Sequence, residues 1–207
     1  MSNSAIPYVH LQVASGFSFK YGSAQPNQLV ERAATFGMPA LALTDRNALA
    51  GAIRFTQSCQ RAGITPIIGC NLEVAPMRKT KAAPTPAKGG NFVENNFSRV
   101  TVMATSQNYG WRNLVKTVSG LEEQLLTHEN FAKHSEGVLL LLGPNSDVGR
   151  ALALRRIDQA KDALNRWREI AQPGSIAIEV VSNLAPGEGE LTTAHAARSL
   201  IFANQMG

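Results

Sequence analysis

Apolar residues along this chain follow two alternating spacings, and together they predict its architecture. Two short apolar runs have strand length: Leu41-Ala42-Leu43, bounded by Thr44-Asp45, and Pro66-Ile67-Ile68-Gly69-Cys70. Between them, Ala48–Ala62 places Leu49, Ala52, Ile53, Thr56 and Cys59 on one helical face, and Gly63 supplies the stop. Strand, helix, strand is the pattern of a parallel βαβ unit, in which chemistry gathers at the strand ends. Here those ends are Asp45-Arg46 and Asn71 to Glu73.

The same rhythm extends to both sides. Tyr8–Val13 alternates as a strand would, with His10 and Gln12 on one side. Pro26–Phe36 reads as a helix with Leu29, Val30, Ala33 and Ala34 toward the core. Further helices are predicted over 108–119, 129–133, 147–154, 158–170 and 191–204. Strands are predicted over 8–13, 39–44, 66–72, 99–104, 138–142 and 176–181, as one curved parallel sheet with helices outside. His128, His134 and His195 fall away from the strand ends and read as solvent-facing. The final helix lacks a following strand, so the reading expects a piece of a longer chain.

Residues 77–96 interrupt the pattern with prolines, glycines and asparagines and little to bury, predicting a mobile basic insertion. Its Arg78, Lys79, Lys81 and Lys88 account for four of the five net positive charges, which leaves the remainder near neutral. Those cations either touch a DNA backbone or belong to a solvated loop. With 207 residues, 44% hydrophobic and 17% charged, the chain suits one α/β domain spanning 1–207. Only Cys59 and Cys70 are present, too few for a disulfide scaffold, so a reducing cytoplasm is expected. No signal pattern and no apolar run of about 18 residues is found, so neither export nor a membrane partner is expected.

Several blocks carry a family resemblance: Val9-His10-Leu11-Gln12, FSFKYG, QLVERAATFGMPALALTD, LAGAIRF, AGITPIIGC, NYGWRNLVKTVS, HSEGVLLLLG and DVGRAL. In this order they resemble the N-terminal polymerase-and-histidinol-phosphatase (PHP) domain of bacterial C-family DNA polymerases. These are the DNA polymerase III alpha subunit and its error-prone relatives. The resemblance implies a distorted (βα)7-type barrel with parallel strands, outer helices and a last strand beyond Gly207. It also implies a full chain that is a cytoplasmic DNA polymerase in replication or error-prone repair, with Mg2+ at its polymerase site. The implied partners are the rest of that chain, DNA, a proofreading exonuclease subunit and sliding-clamp-associated proteins.

Active members of that family hold a cluster of metal ions at the strand ends on His, Asp, Glu and Cys ligands. Closely spaced divalent ions need several such groups to offset their repulsion. The resemblance places His-x-His at His10 and Gln12, and Asp-His at Asp45 and Arg46. Asn71 stands where a glutamate is expected, Arg99 where a histidine is, and Pro144 where a cysteine is. Only His10 and Asp45 remain, with Glu73 displaced along its strand, so no catalytic residue, metal or cofactor is expected in this stretch. His10 reads either as a rim histidine or as a ligand. Asp45 reads as a helix N-cap or as an ion-pair partner. Arg46 and Arg99 read as salt-bridge replacements for the metal site, pairing with Asp45 and Glu73. Two functions compete: a structural, partner-binding module, and a metal-dependent 3′–5′ exonuclease or phosphoesterase.

Overall fold

The computed structural model describes residues 8–76 and 97–207. Pro26 opens α1 (Pro26–Thr35), where its missing N–H costs nothing, and Gln28 Oε1 accepts the Gln25 N–H at 2.8 Å. β1 (Ala40–Arg46) follows, then α2 (Ala52–Ala62), which stops at Gly63 in a left-handed conformation of φ 69° that glycine adopts without strain. β2 (Thr65–Glu73) pairs parallel to β1, completing the βαβ unit that the apolar spacing predicts. Beyond it lie β3 (Arg99–Ala104), α3 (Tyr109–Ser119), α4 (His128–Lys133), β4 (Val138–Leu142), α5 (Asp147–Ala153), α6 (Ile157–Ile170), β5 (Ile176–Ile178) and α7 (Thr193–Met206). Among the described residues the sheet has five strands in the order β1-β2-β3-β4-β5.

Strand alternation divides the sheet into two faces. Leu41 and Leu43 of β1 pack with Val30 and Ala33 of α1 and Phe55 and Cys59 of α2. Leu72, Val102, Leu140 and Leu142 pack outward on α3 to α6, around Leu114, Phe131, Leu164 and Trp167. The opposite face is narrower and holds Ala42, Met103 and Leu141, with Ile67, Leu139 and Ala177 against them. None of the helices in the described residues is long and apolar enough to cross a membrane.

The α/β class is the expected one, but several details differ from it. β3 runs antiparallel to both β2 and β4, so the sheet is mixed rather than wholly parallel. After β3, the chain climbs α3, meets Val74 at the Leu126 bridge, and returns through α4 before β4 begins. β4 and β5 run parallel to each other, with α5 and α6 forming the connection between them. Residues 8–13 form no strand. They lie extended along β1, where the His10 and Val13 carbonyls accept the Ala42 and Thr44 N–H groups at 3.0 and 2.8 Å.

β5 ends at Ile178, although the Glu179 N–H still donates to the Leu142 carbonyl at 3.1 Å. The buried face of α2 centres on Ala52, Phe55, Ser58 and Cys59, which leaves Ile53 63% exposed. His195 is only 1% exposed and its Nε2 sits 2.9 Å from the Gly149 carbonyl; His128 stacks on Trp167 at 4.4 Å. His195 is enclosed because α7 packs on α5, His128 is half-buried where α4 packs on α6, and His134 is half-buried with its Nδ1 3.1 Å from the Asn130 carbonyl oxygen. The predicted insertion at 77–96 lies outside the described residues.

Gly149 tests whether packing or local preference governs α5. Alanine is favoured over glycine inside a helix by up to about 1 kcal/mol. A Cβ at Gly149 would, however, lie 2.3 Å from the Gly143 carbonyl oxygen and 2.6 Å from that of Pro144. Gly149→Ala is therefore expected to cost about 1–3 kcal/mol, read from denaturant unfolding. A raised midpoint would show that the turn between β4 and α5 yields easily.

Candidate functional site at the strand ends

Alternation along each strand delivers polar side chains from the strand ends to one cavity. On the narrow inner face, Asn71 pairs in register with Thr101, and Glu73 with Arg99. Asn71, Thr101 and Arg99 form one end of a cavity of about 240 Å3, whose walls also include Gln12, Tyr21, Arg46, Gly143, Pro144 and Glu179. A continuous set of hydrogen bonds crosses it. Gln12 Nε2 donates to Thr101 Oγ1 at 2.7 Å and to Glu179 Oε2 at 3.1 Å. Asn71 Nδ2 donates to the same Thr101 oxygen at 2.9 Å. Arg99 donates from Nε to Asn71 Oδ1 at 2.5 Å, from Nη2 to the Asn71 carbonyl at 2.8 Å, and from Nη1 to Glu73 Oε1 at 2.5 Å.

Arg99 is the most buried charge of the set, at 9% exposure. Burial lowers its pKa, the Glu73 carboxylate opposes that change, and the charge on Arg46 adds to it. Glu179, at the other end of the network, has its carboxyl pKa raised by burial, with the Gln12 amide pulling the opposite way. Cys70 faces away from the cavity. Burial pushes its thiol up to about 12, and the neutral S–H donates to the Asp45 carbonyl at 3.2 Å.

The two residues that match the family's ligand pattern are not in this cavity. Asp45 alternates with Arg46 and so points to the opposite face of the sheet. Its carboxylate accepts the Ser15 N–H at 2.6 Å, the Ser15 hydroxyl at 2.8 Å and the Ser18 hydroxyl at 2.7 Å. It is therefore neither the N-cap of α2, a position held by Gly51, nor the partner of Arg46. Arg46 instead lies over the Tyr21 ring, 3.5 Å from its centroid. His10 is exposed and edge-on to Tyr8 at 4.7 Å.

Of the predicted residues, the cavity thus brings together Arg46 and Arg99, with Glu73 held outside its lining as the partner of Arg99, and leaves out His10 and Asp45. Arg78, Lys79, Lys81 and Lys88 lie outside the described residues. Among the described residues, no group of three or more His, Cys, Asp or Glu side chains is placed to hold a metal ion.

Sequence reasoning passes over Thr101, Glu179, Ser15 and Ser18. A signal for Glu179 exists: it shares the face of Ala177 in the run Ile176-Ala177-Ile178-Glu179, an acid at the end of an apolar strand. Nothing local marks the two serines, whose role depends on Asp45 some thirty residues away.

The PHP domain model matches residues 10–183, most of the chain. This chain belongs to the PHP domain family. It is 30% identical over 196 residues to the DNA polymerase III subunit alpha of Mycobacterium tuberculosis (strain ATCC 25618 / H37Rv), a match covering 88% of this chain and 16% of that protein. A shorter stretch of 65 residues is 52% identical to the error-prone DNA polymerase of Symbiobacterium thermophilum, covering 31% of this chain and 6% of that one. The chain thus spans about a sixth of the length of the alpha subunits it matches. In structure it is similar to a protein from Bifidobacterium adolescentis described as a metal-dependent phosphoesterase. That likeness has a TM-score of 0.56 at 13% identity, covers 95% of this chain and 82% of the other, and concerns the PHP fold alone.

Two measurements follow from this geometry. Asp45→Asn replaces an acceptor with an N–H group that faces donors, and is expected to cost about 1.5–3 kcal/mol in chemical denaturation. An unchanged midpoint would mean that the serine bonds do not hold the loop. For Glu179, the raised folded pKa makes its contribution fully present below the ordinary value of 4.5 and lost as pH rises through the folded value. Wild-type stability should therefore fall relative to Glu179→Gln as pH increases from 4.5, whereas parallel curves would contradict the assignment.

Proposed function

We propose that this chain is the PHP domain of a bacterial DNA polymerase III alpha-type subunit, and that it serves as a metal-free structural and partner-binding module. In this reading the full chain is a cytoplasmic polymerase active in replication or error-prone repair, with Mg2+ at a polymerase site outside this stretch. Its partners are the rest of that chain, DNA, and a proofreading exonuclease subunit or sliding-clamp-associated proteins. The names of the relatives support the polymerase setting.

One observation carries the metal-free reading: the Arg99 guanidinium occupies the strand ends, and the Asn71 and Glu73 oxygens there are directed to it. A divalent-ion cluster does not fit this donor set. The remaining donors are an amide, a hydroxyl and the Glu179 carboxyl, whose pKa burial raises. Two fixed guanidiniums, Arg46 and Arg99, line the same cavity. Repulsion between unit charges about 4 Å apart is on the order of 4 kcal/mol near a protein surface, and a divalent ion doubles it. The network has a mechanical consequence as well. Through Gln12 it joins the N-terminal segment to β3 and to the residue after β5.

The test is metal content after equilibration with zinc or manganese, together with degradation of a labelled primer end. Substoichiometric metal and no degradation are expected. Two or more tightly held ions with primer-end cleavage would establish the nuclease reading instead. Changing Gln12, Arg46 and Arg99 together to His should raise metal uptake without unfolding the chain.

A further inference from the structure

The Gly16–Gly22 loop carries features that the strand-end network does not use. Phe17, Phe19 and Tyr21 alternate in it with Ser18, Lys20 and Gly22. The loop is pinned from beneath by the Asp45 carboxylate through Ser15 and Ser18. It is also tightly closed, since a Cβ at Gly22 would lie 2.0 Å from the Ser15 carbonyl oxygen. On this rigid support Phe19 is 85% exposed and Tyr21 62% exposed.

Each ring has a cation beside it: Arg46 at 3.5 Å from the Tyr21 centroid, Lys20 at 5.7 Å from Phe19, and Arg54 at 6.0 Å from Phe17. Residues 15–25 and 46–54 contain no acid, and the Asp45 carboxylate beneath the loop is engaged by Ser15 and Ser18.

We infer that this loop, with Arg46 and Arg54, is a stacking platform for single-stranded nucleic acid. Unpaired bases offer a π-face to exposed aromatic rings, and the phosphates between them meet the flanking cations. A duplex has its base faces already stacked and gains only the electrostatic part. Pinning by Asp45 matters energetically, because rings held in place before binding lose little freedom when a base lands on them. Tyr21 and Arg46 also line the cavity, so a bound strand would pass its mouth. This surface and its test are independent of whether the cavity holds metal.

The experiment is fluorescence anisotropy with the 207-residue chain in EDTA at low salt, using labelled oligothymidylate of about 12 nucleotides and a duplex of the same length. Tighter binding of the single strand is expected, with affinity falling steeply as salt rises. Phe19→Ala with Tyr21→Ala should weaken single-strand binding about ten-fold or more while leaving thermal unfolding unchanged. Arg46→Gln should flatten the salt dependence. Replacing Arg78, Lys79, Lys81 and Lys88 together with Ser should keep the preference for single strands. Equal affinity for the two nucleic acids, no binding of either, or full binding by a folded Phe19→Ala/Tyr21→Ala variant would each overturn the inference. The rings would then be available to a protein partner.

Discussion

A guanidinium is difficult to bury, and the strand ends of this protein are arranged around one. Arg99 sits in a largely water-free position where its charge is tolerable only with acceptors on several sides. Asn71 supplies two of them and Glu73 a third. Those acceptors are within reach because of the direction of β3. Arg99 opens β3 and Glu73 closes β2, so the two meet only when the strands run antiparallel. In a parallel sheet the start of β3 would lie at the far end. The reversal of one strand and the ion pair at the cavity are thus a single structural fact.

From Arg99 the polar order spreads across the mouth of the sheet. Asn71 uses its remaining amide group on Thr101, Thr101 bridges to Gln12, and Gln12 reaches Glu179. Each neutral group is satisfied by the next, which suits a low-dielectric interior better than isolated charges do. Glu179 is the member under most tension: burial favours its protonated form, while the donor from Gln12 favours the carboxylate.

Asp45 illustrates how a motif residue can persist at its position in another role. A single step along β1 separates it from Arg46, and that step turns it to the other face of the sheet. There it organises the loop carrying Phe19 and Tyr21. Adjacent residues of one strand thus hold the aromatic loop from two sides, Asp45 through Ser15 and Ser18 and Arg46 through the Tyr21 ring at the cavity.

The sequence by itself determined the α/β class, the βαβ unit and the placement of nearly every helix. These rest on local causes: apolar spacing, Pro26 as a helix start, and Gly63 as a left-handed stop. The blocks of family resemblance were legible for a related reason, being short contiguous strings. The cavity was legible in part, through the substitution of Arg46, Arg99, Asn71 and Gln12 at ligand-like positions. Tertiary structure decided the rest. The direction of β3 depends on the path taken by its connections, which no run of six residues encodes. The face of α2 depends on Phe55 finding α1 and β1, and the burial of His195 on α7 docking against α5. Whether Asp45 faced the cavity or the loop depended on where Arg46 pointed, because neighbouring strand residues cannot share a face. Glu179 entered the network only because β4 brought its strand alongside, 167 positions along the chain from Gln12.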